Sequence, residues 1–78
     1  MKRVEIVMGR CLIPDLLTAR GWIQMDIVNR TSLSTSTVSS YCTEVRPSIP
    51  LRNALLIAHV LGVKTEELYL WEIVEVEE

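Results

Sequence analysis

The stretch Gln24-Met25-Asp26-Ile27-Val28-Asn29-Arg30-Thr31-Ser32-Leu33-Ser34-Thr35-Ser36-Thr37-Val38-Ser39-Ser40-Tyr41 decides the fold. Gln24 to Arg30 predicts a short helix with Ile27 and Val28 as its buried face. Thr31-Ser32-Leu33 is a turn. Ser34 then caps a second helix over residues 35–42, because its hydroxyl accepts one of the free amides at a helix start. Val38 and Tyr41, spaced for one face, are that helix's apolar contacts. Two short helices joined by a tight turn have the arrangement of a helix-turn-helix unit.

Upstream, a helix is expected to begin near Ile13. Pro14 suits the first helical position, where its missing N–H costs nothing. Ile13, Leu16, Leu17 and Arg20 follow helical spacing, and Gly21 closes the helix. Downstream, Thr43 to Ile49 is a loop containing Pro47. Ser48 is a candidate cap for a fourth helix, whose apolar stripe is Leu51, Ala54, Leu55, Ala58 and Leu61. Gly62 ends it. Thr65 then caps a fifth, short helix, with Glu66 and Glu67 at its positive end. Residues 3–8 are β-branched and partly alternating, and Gly9-Arg10 breaks that pattern. Leu70 to Val76 returns to β-rich composition, to pair with residues 3–8 or with its own copy in a second subunit. The expected fold is all-α. It is one helix-turn-helix domain over residues 1–78, a compact bundle of about five short helices, with a possible strand at 3–8 and an acidic strand or tail at 70–78.

Composition narrows the function. The net charge is −2, but it is unevenly placed: residues 1–65 carry +4 and residues 66–78 carry −6. A basic body with an acidic tail is a weak sign of nucleic-acid contact by the body. No apolar run approaches the roughly 20 residues of a membrane span. The basic start Met1-Lys2-Arg3 lacks the pattern of a signal peptide, so a cytoplasmic setting and no membrane are expected. Cys11 and Cys42 are far from metal spacing and His59 is the only histidine. They are expected to be reduced thiols acting as small hydrophobes. No nucleophile has a base and an orienting group at hand, so neither enzyme activity nor a cofactor is expected.

The second helix of the unit is unusual. It carries Thr35, Ser36, Thr37, Ser39 and Ser40 around its two anchors. Serine and threonine are poor interior helix formers. One reading is a solvated face. The other is a face fitted to DNA: short hydroxyls allow close approach, bond to phosphates or bases, and bring a methyl to thymine.

Residues 21–41 resemble the core of the XRE family, regulators of the phage repressor and Cro type. That pattern has a Gln opening the second helix, an aliphatic-small pair, a turn, a Ser cap, and a Thr-aliphatic-Ser recognition helix. The similarity continues through Arg46-Pro47-Ser48, Ala54 to Ala58, Leu61-Gly62-Val63 and Glu67-Leu68-Tyr69, covering about residues 11–71. It implies sequence-specific binding of double-stranded DNA by a dimeric transcriptional regulator. Gln24 would lie near a phosphate, bracing the recognition helix. Ser34, Thr35, Ser36 and Ser39 would face bases or phosphates, flanked by Thr37 and Ser40. Thr43 and Arg46 would contact the backbone. Apart from the resemblance, the apolar tail residues Trp71, Ile73, Val74 and Val76 are expected to pack on the domain's own core or N-terminal strand, or to form a dimer contact.

Three positions depart from the family. Ile23 stands where a Ser or Thr cap is usual, Val28 where a small Ala is usual, and Ser32 where a turn glycine is usual. A left-handed Ser32 would cost roughly 1 kcal/mol. The recognition helix also lacks Arg, Lys, Asn and Gln, so it has no bidentate base contact to offer. An alternative follows: a protein-interaction module of the same fold that binds a repressor or another regulatory protein. A continuous positive stripe joining Arg46, Arg30, Arg20 and the third helix would favour DNA. A neutral face would favour the protein partner.

Overall fold

The computed structural model describes residues 1–77. Strand β1 (Lys2–Cys11) leads into α1 (Ile13–Arg20), α2 (Gln24–Arg30), α3 (Thr35–Thr43) and α4 (Leu51–Leu61). A 3-10 turn, Thr65–Leu68, then feeds strand β2 (Tyr69–Glu77). The expectation of an all-α bundle of about five helices is therefore corrected to a mixed α/β architecture. The fifth helix is only the 3-10 turn. The terminal segments form one long antiparallel ribbon, running from Lys2 opposite Glu77 to Cys11 opposite Tyr69. Glu78, the end of the expected tail, lies outside the described residues.

The strand does not stop at Gly9 as its composition suggests. It continues to Cys11 through a register shift between Met8 and Cys11, as at a β-bulge. Gly9 is needed there for closeness. A Cβ on it would lie 2.8 Å from Leu70 Cβ and 3.0 Å from the Leu70 carbonyl oxygen. Gly9→Ala is expected to push the strands apart at the ribbon's root and cost about 1–3 kcal/mol, the usual range for overpacking, readable as a lower urea midpoint.

The helices begin and end for local reasons. Pro14 lies in the first turn of α1. Gly21 and Gly62 take left-handed φ values of 66° and 72°, closing α1 and α4. Ser34 accepts a hydrogen bond from the Thr37 amide at 3.2 Å. Ser48 does not cap α4. The N-cap position is Pro50, and it makes no side-chain cap bond. Ile23 lacks a capping oxygen, and Asp26 compensates by accepting from the Ile23 amide at 2.8 Å. That bond first, and the Arg30 guanidinium after it, hold the Asp26 carboxyl below the ordinary aspartate value of 3.8. A lowered folded pKa adds stability above the unfolded value, and that stability is lost as pH falls through the folded value. Asp26→Ala is thus expected to melt below the parent at pH 7, with the gap closing below pH 3.8. Thermal melts across that range check it.

The core gathers Cys11 from β1, Ile13 and Leu17 from α1, Ile27 from α2, Val38 and Tyr41 from α3, Ala54, Ile57, Ala58 and Leu61 from α4, and Leu68. Its stripe on α4 is rotated from the expected one. Ile57 is inside, while Leu51 and Leu55 are 70% and 51% exposed. Arg20 joins α1 to the end of α4, donating from Nε to the Leu61 carbonyl at 2.8 Å and from Nη1 to the Leu16 carbonyl at 3.1 Å. Tyr69 donates to the Pro47 carbonyl, fixing the start of β2 against the loop after α3. Cys11 and Cys42 are free, with Cys11 buried and Cys42 half-buried. Burial pushes both thiols above their ordinary value, so they stay protonated.

Candidate nucleic-acid interface

The site is built from the turn between α2 and α3. Thr31 takes an extended conformation, and its hydroxyl does two jobs. It donates to the Ile27 carbonyl at 2.8 Å and accepts from the Leu33 amide at 3.2 Å. This makes the turn without a left-handed residue. No non-glycine residue among those described has positive φ, so the strain expected at Ser32 is absent. Val28 is half-buried against the core, and α2 and α3 pack together despite its size.

Helix α3 is fixed by Val38, fully buried, and by Tyr41. The Tyr41 hydroxyl accepts from Asn53 Nδ2 at 3.0 Å, tying α3 to α4. Opposite these anchors, Thr35, Ser36, Ser40 and Thr43 are exposed, and Thr37 and Ser39 half-buried. Gln24 is half-buried and lines a shallow depression of about 570 Å³ together with Thr35, Met25 and Thr18. The first turns of α2 and α3 thus line one depression.

The hydroxyls are not equally available. Ser34 donates to Thr37 Oγ1 at 2.8 Å and lies 3.3 Å from Ser36 Oγ, so Ser34 and Thr37 serve the cap first. Thr43 reaches back to the Ser40 carbonyl at 3.5 Å, a long bond. Ser36, Thr35, Ser39 and Ser40 are the side chains with the most capacity to spare.

The basic residues are arranged differently from the expected stripe. Arg20 is held by two backbone carbonyls. Arg30 stacks on the Trp22 ring at 4.2 Å and pairs with Asp26 at 3.2 Å. Arg46, in the loop after α3, is exposed. The Arg30–Asp26 pair and the Arg20–Leu16 bond follow i,i+4 spacing within one helix, but the bond of Arg20 to Leu61 needs α4, and the Arg30 stack needs Trp22, eight residues earlier and outside α2.

The expected tail residues lie on the ribbon. Trp71 stands opposite Met8 and donates from Nε1 to the Glu66 carbonyl at 2.6 Å. Ile73 pairs with Ile6, Val74 with Glu5 and Val76 with Arg3. The tail thus packs on the chain's own first strand. Among the described residues no group of His, Cys, Asp and Glu is placed to hold a metal ion. Among the described residues no helix is long and apolar enough to cross a membrane. Compared with known proteins, the chain matches no family model, no curated protein and no solved structure.

Proposed function

We propose that the chain is a sequence-specific binder of double-stranded DNA, a dimeric transcriptional regulator resembling the XRE family, with α3 entering the major groove. One observation carries this reading. A short helix held by Val38 and Tyr41 turns a face of small hydroxyls outward, beside Gln24 at the start of α2. In a docked helix-turn-helix the N-terminal residues of the second helix meet base edges. Here those residues are Thr35, Ser36 and Ser39, with Ser40 and Thr43 toward the backbone and Arg46 the nearby cation. Ser34 and Thr37 act through the cap that orients the helix.

Single hydroxyls discriminate bases less sharply than bidentate side chains do. Specificity then draws on thymine methyl contacts and on sequence-dependent DNA shape as well. A reducing, cytoplasmic setting is part of the proposal, one in which Cys11 and Cys42 stay free thiols. No catalytic role or cofactor enters the proposal.

A second reading has its own observation. Arg20 and Arg30 are committed within the fold, so the stripe that would favour DNA is interrupted. This favours a protein-interaction module that presents the same hydroxyl face to a regulatory protein. Selection of bound sites from a random duplex library separates the two. Enrichment of a site supports the DNA reader, and none at low salt supports the module.

A further inference from the structure

The ribbon is the least explained part of the molecule. It is a sheet of only two strands, projecting in a molecule 48 Å long and 22 by 20 Å across. Two strands alone are marginal in water. Val4, Ile6 and Ile73 are each more than half exposed on it. One face of the ribbon, with Ile6, Met8, Trp71 and Ile73, looks across a groove of about 590 Å³ toward Ile49 and Leu51 of the helical body.

Each strand has one neighbour and therefore one open edge. The two edges differ in chemistry. Strand β2 carries Glu72, Glu75 and Glu77 and no base. Charges spaced along an edge strand discourage pairing. The middle of β1, Val4-Glu5-Ile6-Val7-Met8, holds a single charge. At its root the Cys11 amide is already taken by the Val45 carbonyl at 2.7 Å, so the open length is toward the tip.

We infer that β1 pairs along this open edge with β1 of a second copy of the chain, antiparallel about a two-fold axis, giving a four-stranded sheet with the two β2 strands outside. Three alternatives fail on charge, size or closure. Pairing β2 with β2 brings both sets of glutamates together with no base on either strand, and although Glu75 has Lys2 of its own β1 at 3.6 Å, the sequence of β2 places Glu72 and Glu77 there as well. Pairing β1 with β2 antiparallel sets the helical bodies side by side at about 10 Å, the width of two strands. The body's narrow dimensions of 20 to 22 Å forbid that. Pairing β1 with β2 parallel leaves each end open and builds a filament rather than a closed dimer.

The two-fold arrangement puts the helical bodies at opposite ends of the sheet. An axis normal to the sheet also keeps both on the same face. With the pairing centred near Glu5 and Ile6, the two roots of β1 stand about 34–41 Å apart at roughly 3.4 Å per residue. The pairing of β1 does not rest on the DNA reading.

The test uses the unmodified chain without DNA. Sedimentation across a concentration series gives the oligomeric state, and amide exchange by NMR locates the edge. The expected result is a dimer in which the β1 amides that point away from β2 exchange at least tenfold slower than in the diluted monomer. The β1 amides that point toward β2 stay protected at both concentrations, and the outward β2 amides stay fast. A chain that remains monomeric at millimolar concentration overturns the inference. So does a dimer that protects the outward β2 amides, or neither edge. Failure to bind DNA touches none of these outcomes.

Discussion

Ile27→Ala is expected to remove about 2–5 kcal/mol of stability, the range for truncating a fully buried isoleucine. Ile27 is 0% exposed and packs in the cluster shared by α1, α3 and α4. Domains hold roughly 0.05–0.15 kcal/mol per residue, or about 4–12 kcal/mol for 78 residues. The lost methyl groups thus take a large share of the total. The helices are short, and few local bonds would hold α2 and α3 once their shared core is opened. Urea unfolding followed by circular dichroism measures the change. A loss below about 1 kcal/mol would mean the site collapses onto the smaller side chain, and that Ile27 does not organise the pair.

Ser36→Glu is expected to weaken DNA binding at least tenfold, about 1.4 kcal/mol, while leaving the fold intact or slightly firmer. The opposite signs make this informative. Ser36 is exposed in the first turn of α3, where a carboxylate favours the helix dipole. The same carboxylate in a docked complex faces phosphates and base acceptors and repels them. A substitution that merely damaged the domain would lower the melting temperature and the affinity together. Thr35→Ala is the companion change. It removes a hydroxyl and a methyl without adding charge, so it should alter which bases are preferred more than how tightly DNA is held. Titration of a labelled duplex beside a thermal melt reads both effects. Unchanged affinity for Ser36→Glu would move the interface off α3.

Much of the helical part was legible because its signals are local. Pro14, Gly21, Ser34 and Gly62 each act within one turn of chain, and they stand where the sequence sets them. Ile27, Val38 and Tyr41 follow from spacing alone. The ribbon was harder. Gly9 has the composition of a breaker, and its real function, admitting the Leu70 backbone, depends on a segment about sixty residues away. The fifth helix signal at Thr65 was true only for one tight turn, because Tyr69 leaves it directly for the sheet. On α4 the aliphatic stripe is wide enough that periodicity alone does not choose between Leu55 and Ile57. At the candidate site, the hydroxyls were found by composition. The commitment of Arg20 to Leu61 and of Arg30 to Trp22 was beyond it, since both are tertiary contacts.

Those contacts shape the expected binding. If α3 reads DNA as proposed, the commitment of Arg20 and Arg30 within the fold leaves less non-specific attraction to the duplex, and shape-dependent recognition carries more weight. The acidic β2 strand adds to this by repelling phosphates, which is tolerable when the outer edges of the sheet point away from DNA.

The central claim is that α3 reads DNA. Its most direct test is selection of bound sequences from a random double-stranded library at two salt concentrations. The account predicts enrichment of a palindromic site, with half-sites about one helical turn apart and affinity falling as salt rises. No enriched sequence even at low salt would contradict it.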